Sequence, residues 1–257
     1  MPAADEVGSI HRIAEATKQA FRLRDKYLTH PREMTTDGQS LLNADTLDQL
    51  TARIDLTKAA PTEGQRNPGD TVWMGVIDSQ GMAVSFIQSL YHEFGSGVVI
   101  PDTGLIWQNR GASFTLKPDQ LLSLAPGKQP FHTLNPAAAR LNDGRVMVYG
   151  SMGGDGQPQT QATLFTRHIQ QNIPLQQAIS APRWLLGRTW GQSSESLKLE
   201  GRFSDSVVGA LRDMGHDVEI LEDYSEAVGH AGAIVRHSNG MIEGAYDPRS
   251  NGSAAGF

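Results

Sequence analysis

Apolar positions along the chain fall into two textures. Between residues 10 and 28, Ile10, Ile13, Ala14, Thr17, Phe21 and Leu28 recur at helical spacing while Arg, Lys and Glu fill the other face. This predicts an amphipathic helix with Ser9 as its cap. A second helical pattern covers residues 43–54. The polar stretch 57–70, with Pro61, Gly64, Pro68 and Gly69 and no apolar period, reads as an exposed linker.

At Thr71 the texture changes to strand-like runs, 71–78 and 83–90, separated by Ser79, Gln80, Gly81 and Met82. A turn centred near Gln80 sets Thr71 opposite Ser89, Trp73 opposite Ile87 and Gly75 opposite Ser85, all on one face of a hairpin. A shift of one residue would point Ser89 away. Short strands are predicted at 97–100, 105–108 and 145–149, then the glycine-rich run 150–156 and a helical stretch 157–171. Glycines between a strand and a helix leave backbone N–H groups available to an anion. A helix at 204–214, with Val207, Val208, Leu211 and Met214 on one face, precedes strands at 217–221, 231–237 and 241–245. Grouped strands with helices outside them predict stacked sheets flanked by helices, not a regular βαβ alternation.

Composition narrows the chemistry. The 257 residues are 39% apolar and 19% charged, enough to bury a substantial core. Net charge is −6 with a pI near 5.7 and no basic run, which argues against nucleic acid as a partner. Without cysteine, any nucleophile must be Ser, Thr, Lys or a carboxylate. No stretch approaches the roughly 20 apolar residues that span a bilayer, and residues 1–12 lack a signal-peptide apolar region. No membrane association and a cytoplasmic location are therefore expected, with the proviso that any targeting signal would belong to an earlier part of a longer chain. P-loop, GxGxxG, HExxH and GxSxG motifs are absent. His168 falls on a helix face, and His92, His132, His216, His230 and His237 fall on loops or strand ends without ligand spacing, so neither a metal nor another cofactor is expected. The acceptor-like tripeptide beginning at Asn251 has no meaning without a secreted context.

Five segments in order resemble the γ-glutamyltranspeptidase family. They are GDTVWMGVIDSQGMAVS (69–85), FGSG (94–97), GLIWQN (104–109), MGG (152–154) and DPRSNGSAAGF (247–257). The resemblance runs from Thr71 to Phe257, with residues 1–70 similar to the tail of the family's large subunit. It implies a four-layer αββα sandwich of the N-terminal nucleophile hydrolase class, incomplete in this chain, with 1–70 as large-subunit tail and 71–257 as the small catalytic subunit. It also implies self-cleavage between Asp70 and Thr71. The residue chemistry agrees, because a threonine hydroxyl needs a base and a freed α-amino group of pKa about 7.7–8.0 can serve on the same residue. Ser89 takes the place of a threonine that hydrogen-bonds the nucleophile, and Gly153 and Gly154 match the family's oxyanion hole. Taken alone, a threonine at a strand start is an ordinary β-former and a glycine pair an ordinary turn.

Several positions depart from the family. The residues that grip a substrate ammonium fall on Arg110 and Ser113, the serine pair that binds a carboxylate becomes His132 and Thr133, and a site-closing asparagine becomes Tyr91. Arginine cannot accept a hydrogen bond but pairs with a carboxylate through two donors. With PFHTLNP (130–136) and MGGDGQPQ (152–159), these changes resemble the oxamate amidohydrolase and acylase branch. The expectation is a small anionic amide such as oxamate, cleaved through an acyl-threonine, with γ-glutamyl transfer or glutathione hydrolysis as the alternative. Expected partners are a large subunit from the same precursor or a second polypeptide, giving a heterodimer or a dimer of heterodimers. A reading of another class is an inactive remnant that binds such a subunit.

Overall fold

The computed structural model describes residues 3–62, 70–188 and 194–257. Helices α1 (Ala3–Tyr27) and α2 (Ala44–Thr51) come first, then the hairpin strands β1 (Asp70–Ile77) and β2 (Ala83–Tyr91), then the two-residue strands β3 (Val99–Ile100) and β4 (Leu105–Ile106). Strands β5 (Ala137–Arg140) and β6 (Val146–Ser151) lead into helices α3 (Gln157–Phe165) and α4 (Leu175–Ser180). The chain continues through β7 (Trp184–Leu186), β8 (Leu197–Glu200), α5 (Asp205–Asp213), β9 (Val218–Leu221), β10 (Ala231–Arg236) and β11 (Ile242–Tyr246). Among the described residues no helix is long and apolar enough to cross a membrane.

Local chemistry makes the hairpin. The Asp78 carboxylate accepts from the N–H groups of Gln80 and Met82 at 2.9 and 2.8 Å, and Gly81 supplies the φ of +90° that closes the turn. Trp73 pairs with Ile87 and Gly75 with Ser85, the register expected from the sequence. The hairpin then stacks on an antiparallel sheet of order β11-β10-β6-β5. Trp73 is the contact between them. A methyl group at Gly150 would lie 2.1 Å from its ring, and one at Gly232 would lie 2.5 Å away, so both sheet positions must be glycine for the indole to lie flat. The other face of this sheet buries Met147, Ala231, Ala233 and Val235 against Leu164, Leu175, Ala178 and Ile179 of α3 and α4.

Hairpin, sheet and helices are three layers of an αββα sandwich. A fourth helical layer would lie on the outer face of the hairpin, where Val72, Met74, Val76, Val84 and Phe86 are 44–58% exposed. The predicted incomplete sandwich is thus what the described residues form. A second core joins the sheet β7-β8-β9 to α1 and α5, burying Ile10, Ala14, Leu197, Leu199, Val207 and Leu211. The C-terminal DPR segment is structural: Arg249 pairs with Glu200 and with Asp247 at 3.0 Å, Arg183 also pairs with Asp247, and all four side chains are buried.

Some expectations need correction. Ser9 lies inside α1, because the helix begins at Ala3 and the apolar stripe extends back from Ile10 to Val7, which packs on the same core. The segment after α2 is not a free linker as far as Thr62, since α1 holds its backbone; residues 63–69 of the predicted linker lie outside the described residues. The helical stretch expected over 157–171 is present as α3 and, directly after it, a wider π-helical turn over Thr166–Gln170. Strands β5, β7 and β8 and helix α4 have three to six residues, too short for a period to declare them.

Candidate active site

Thr71 sits at the head of β1 on the face that meets the second sheet. Its Oγ1 donates to Ser89 Oγ at 3.1 Å, and the same Ser89 oxygen accepts the Tyr91 N–H at 2.9 Å. Asp70 pairs with Tyr91 while Val72 pairs with Gln88, so the register slips at Thr71 and forms a bulge. Such a bulge re-aims one side chain at the end of a ladder. Tyr91 stands across from it with φ of +81°, a left-handed conformation that a bulky residue holds only when its surroundings enforce it.

The glycine pair lies at the same end of the hairpin. Gly75 abuts Val148 and Trp73 abuts Gly150, so stepping back two residues on β1 advances two on β6. Thr71 on β1 and Met152, next to Gly153, both lie beyond the Trp73–Gly150 contact in that same direction. Gly153 and Gly154 have φ of +123° and +52°, values that turn the chain sharply from β6 into the helical segment ahead of α3. Among the described residues neither amide finds a backbone acceptor. Two adjacent donors at a strand-to-helix junction are the arrangement that stabilises an oxyanion.

Arg110 is the electrostatic feature of this region. It is 2% exposed, its guanidinium lies 3.9 Å from the centre of the Tyr91 ring, and its terminal nitrogens donate to Thr133 Oγ1 at 3.3 and 3.4 Å. No carboxylate pairs with it among the described residues, and its Nε has no hydrogen-bond partner. Burial lowers its pKa, opposed by the Tyr91 and Asp155 charges. Asp155, next to the glycine pair, is held by Arg24 of α1 at 2.8 Å. No motif or apolar period marks Arg24, whereas Asp155 stands within the Gly-rich run.

Of the remaining predicted residues, Thr133 and Tyr91 join the Arg110 cluster. His132 is exposed, and partial desolvation followed by the Arg110 charge lowers its pKa. The Ser113 hydroxyl donates to the Arg110 carbonyl at 2.9 Å, which stabilises the turn that carries the arginine. Away from this site, His11, Glu15 and His216 bring three buried ligand atoms within 4.8 Å of one another, a spacing that suits a metal. The Lys18 ammonium lies 2.6 Å from Glu15 and already supplies the positive charge there. Moreover His11 Nδ1 and His216 Nε2 are 2.8 Å apart, the separation of a shared proton.

A threonine at the head of a hairpin that stacks on a second sheet, with helices behind it and a glycine pair at the turn out of that sheet, is the architecture of the N-terminal nucleophile hydrolase class. The chain belongs to the γ-glutamyltranspeptidase family, whose model matches residues 2–257. It is 69% identical over 257 residues to the oxamate amidohydrolase proenzyme of Klebsiella pneumoniae, covering all of this chain and 49% of that protein. It is 44% identical over 247 residues to the glutathione hydrolase-like YwrD proenzyme of Bacillus subtilis, covering 96% of this chain and 47% of that one. Among solved structures, a cephalosporin acylase from Bacillus halodurans superposes with a TM-score of 0.80 at 31% identity, over 97% of this chain and 45% of its own. The chain spans about half the length of the curated relatives it matches.

Proposed function

We propose that this chain is the catalytic half of an amide hydrolase that cuts itself between Asp70 and Thr71 and then hydrolyses a small anionic amide such as oxamate. In the self-cleavage, Thr71 Oγ1 adds to the Asp70 carbonyl carbon and the peptide C–N bond breaks. Breaking that bond frees the Thr71 amine and leaves the Asp70 acyl group as an ester on Oγ1, which water hydrolyses to the Asp70 carboxylate and the free Thr71 hydroxyl. In turnover that amine accepts the hydroxyl proton as Oγ1 attacks the substrate carbonyl. The oxyanion faces the Gly153 and Gly154 N–H groups, Ser89 orients the nucleophile, ammonia departs with the proton, and water cleaves the acyl ester. The remainder of the precursor, as a large subunit, packs on the exposed apolar face of the hairpin, where a patch of this kind marks an interaction surface.

The observation that supports the substrate class is Arg110: a buried guanidinium with a hydroxyl and an aromatic ring as its partners leaves a charge for an anion to balance. The experiment is to express the full-length precursor, measure intact masses, and assay ammonia release from oxamate beside γ-glutamyl-p-nitroanilide. Two pieces, the second beginning at Thr71, and turnover of oxamate are expected. Thr71→Ala should leave the chain uncut and reduce hydrolysis roughly 10⁴-fold or more. Arg110→Met should raise KM for the anionic amide about 10- to 100-fold, the size of a lost charged hydrogen bond. Turnover of the γ-glutamyl compound alone would reject the anion reading, and a full-length precursor that stays uncut would leave the inactive-remnant reading in its place.

A further inference from the structure

Helix α1 carries a second stripe beside its apolar one. His11, Glu15, Lys18 and Arg22 recur at i, i+4, i+7 and i+11, on one face of the helix. The first three are 1%, 1% and 5% exposed, unusual for such side chains unless they are paired. Their partners are mostly backbone atoms of residues 55–61. His11 Nε2 donates to the Asp55 carbonyl at 2.7 Å, and that acceptor fixes the tautomer, so His11 Nδ1 accepts from His216 Nε2–H. Glu15 accepts the Ala60 N–H at 3.2 and 3.3 Å, while Lys18 Nζ donates to the Ala60 carbonyl at 2.5 Å and to Glu15 at 2.6 Å. Arg22 reaches the Pro61 carbonyl at 3.3 Å, and the Ala59 N–H donates to the Met214 carbonyl at 2.7 Å. One buried ion pair therefore grips both sides of the Ala60 residue.

We propose that this stripe, with His216, is a clamp that fixes residues 55–61 and so positions the chain upstream of Asp70 for self-cleavage. The inference rests on the cleavage reading above. An amphipathic helix needs no buried Glu and Lys to dock, since Ile10, Ala14 and Phe21 already bury its apolar face. What the polar stripe adds is a fixed point on the chain that leads to β1. With the clamp closed, eight residues lie between Pro61 and Asp70; with it open, fifteen lie between Ile54 and Asp70. Loop-closure entropy alone then slows the cut about two- to three-fold. After the cut, the same contacts hold the severed end against α1 and α5.

Three variants of the full-length precursor test the clamp. Glu15→Leu with Lys18→Met removes both grips without leaving a buried lone charge. Glu15→Gln with Lys18→Met keeps an acceptor for the Ala60 N–H. Ala60→Pro removes that N–H from the segment side and leaves α1 untouched. The first-order rate of precursor conversion should fall at least two-fold in the Leu/Met pair and in Ala60→Pro, and less in the Gln/Met pair, while kcat of the cleaved enzyme is unchanged. Trypsin should also trim the cleaved variants at Lys58 faster than the parent. Equal conversion rates in parent and variants, or a parallel fall in kcat, would overturn the clamp alone. A parent that never cuts after Asp70 would overturn the cleavage reading and the clamp with it.

Discussion

The two ends of the molecule are packed to different degrees. Around β7, β8 and β9, helices α1 and α5 close a core in which Leu197, Leu199, Val207 and Leu211 are fully buried. The hairpin that carries Thr71 is covered on one face only, with Trp73 inside and a row of apolar side chains outside. Ile10 and Ala14 of α1, on the far side of the proposed cut, thus belong to the better-packed region, while Thr71 belongs to the open one. Connectivity and packing divide the chain at different places. A cut after Asp70 would not release α1, because Ile10 and Ala14 lie in the same core as α5.

Three measurements would break or sharpen this contrast. Leu211→Ala, in the closed core, should cost about 2–5 kcal/mol in denaturant unfolding, the cost of a buried cavity. A loss below about 1 kcal/mol would mean that this side is as loosely packed as the hairpin. Acid should loosen the closed side next. Burial, then the charges of Lys18 and His11, hold the His216 pKa down to about 4, so the unfolded chain binds a proton that the folded one refuses. The contribution of His216 is full above pH 6.5 and is lost as pH falls from there toward 4, up to about 3 kcal/mol in all. Unfolding midpoints of the parent and of His216→Phe at pH 7.5 and 4.5 check this, the parent losing more between the two. The smallest effect is expected on the open face. Val76→Thr should change the stability of this chain by no more than about 0.5 kcal/mol. The same change should weaken recovery of the cleaved, two-piece form from the full precursor, and a large stability loss in the isolated chain would show that Val76 is already covered.

Much of the local structure was legible in the sequence because it rests on short-range periods. The α1 stripe at Ile10, Ala14 and Phe21, the hairpin register through Trp73 and Ile87, and the α5 face at Val207 and Leu211 all follow from side-chain spacing and turn chemistry. The candidate nucleophile and glycine pair could be named because their motifs stand in order along the chain. Their positive φ values and the bulge at Thr71 could not, since these depend on how β1 meets β2 and how β6 turns into α3. The same limit hid the pairing of His11 with His216, 205 positions apart. Sequence by itself determined the spacing of apolar faces and the inventory of reactive groups, both properties of neighbouring residues. Only the tertiary structure decided which polar groups became buried. It left Arg110 with no paired carboxylate among the described residues and turned a solvated-looking stretch after Ile54 into backbone held by α1, because burial and partner choice arise from long-range packing that no local window contains.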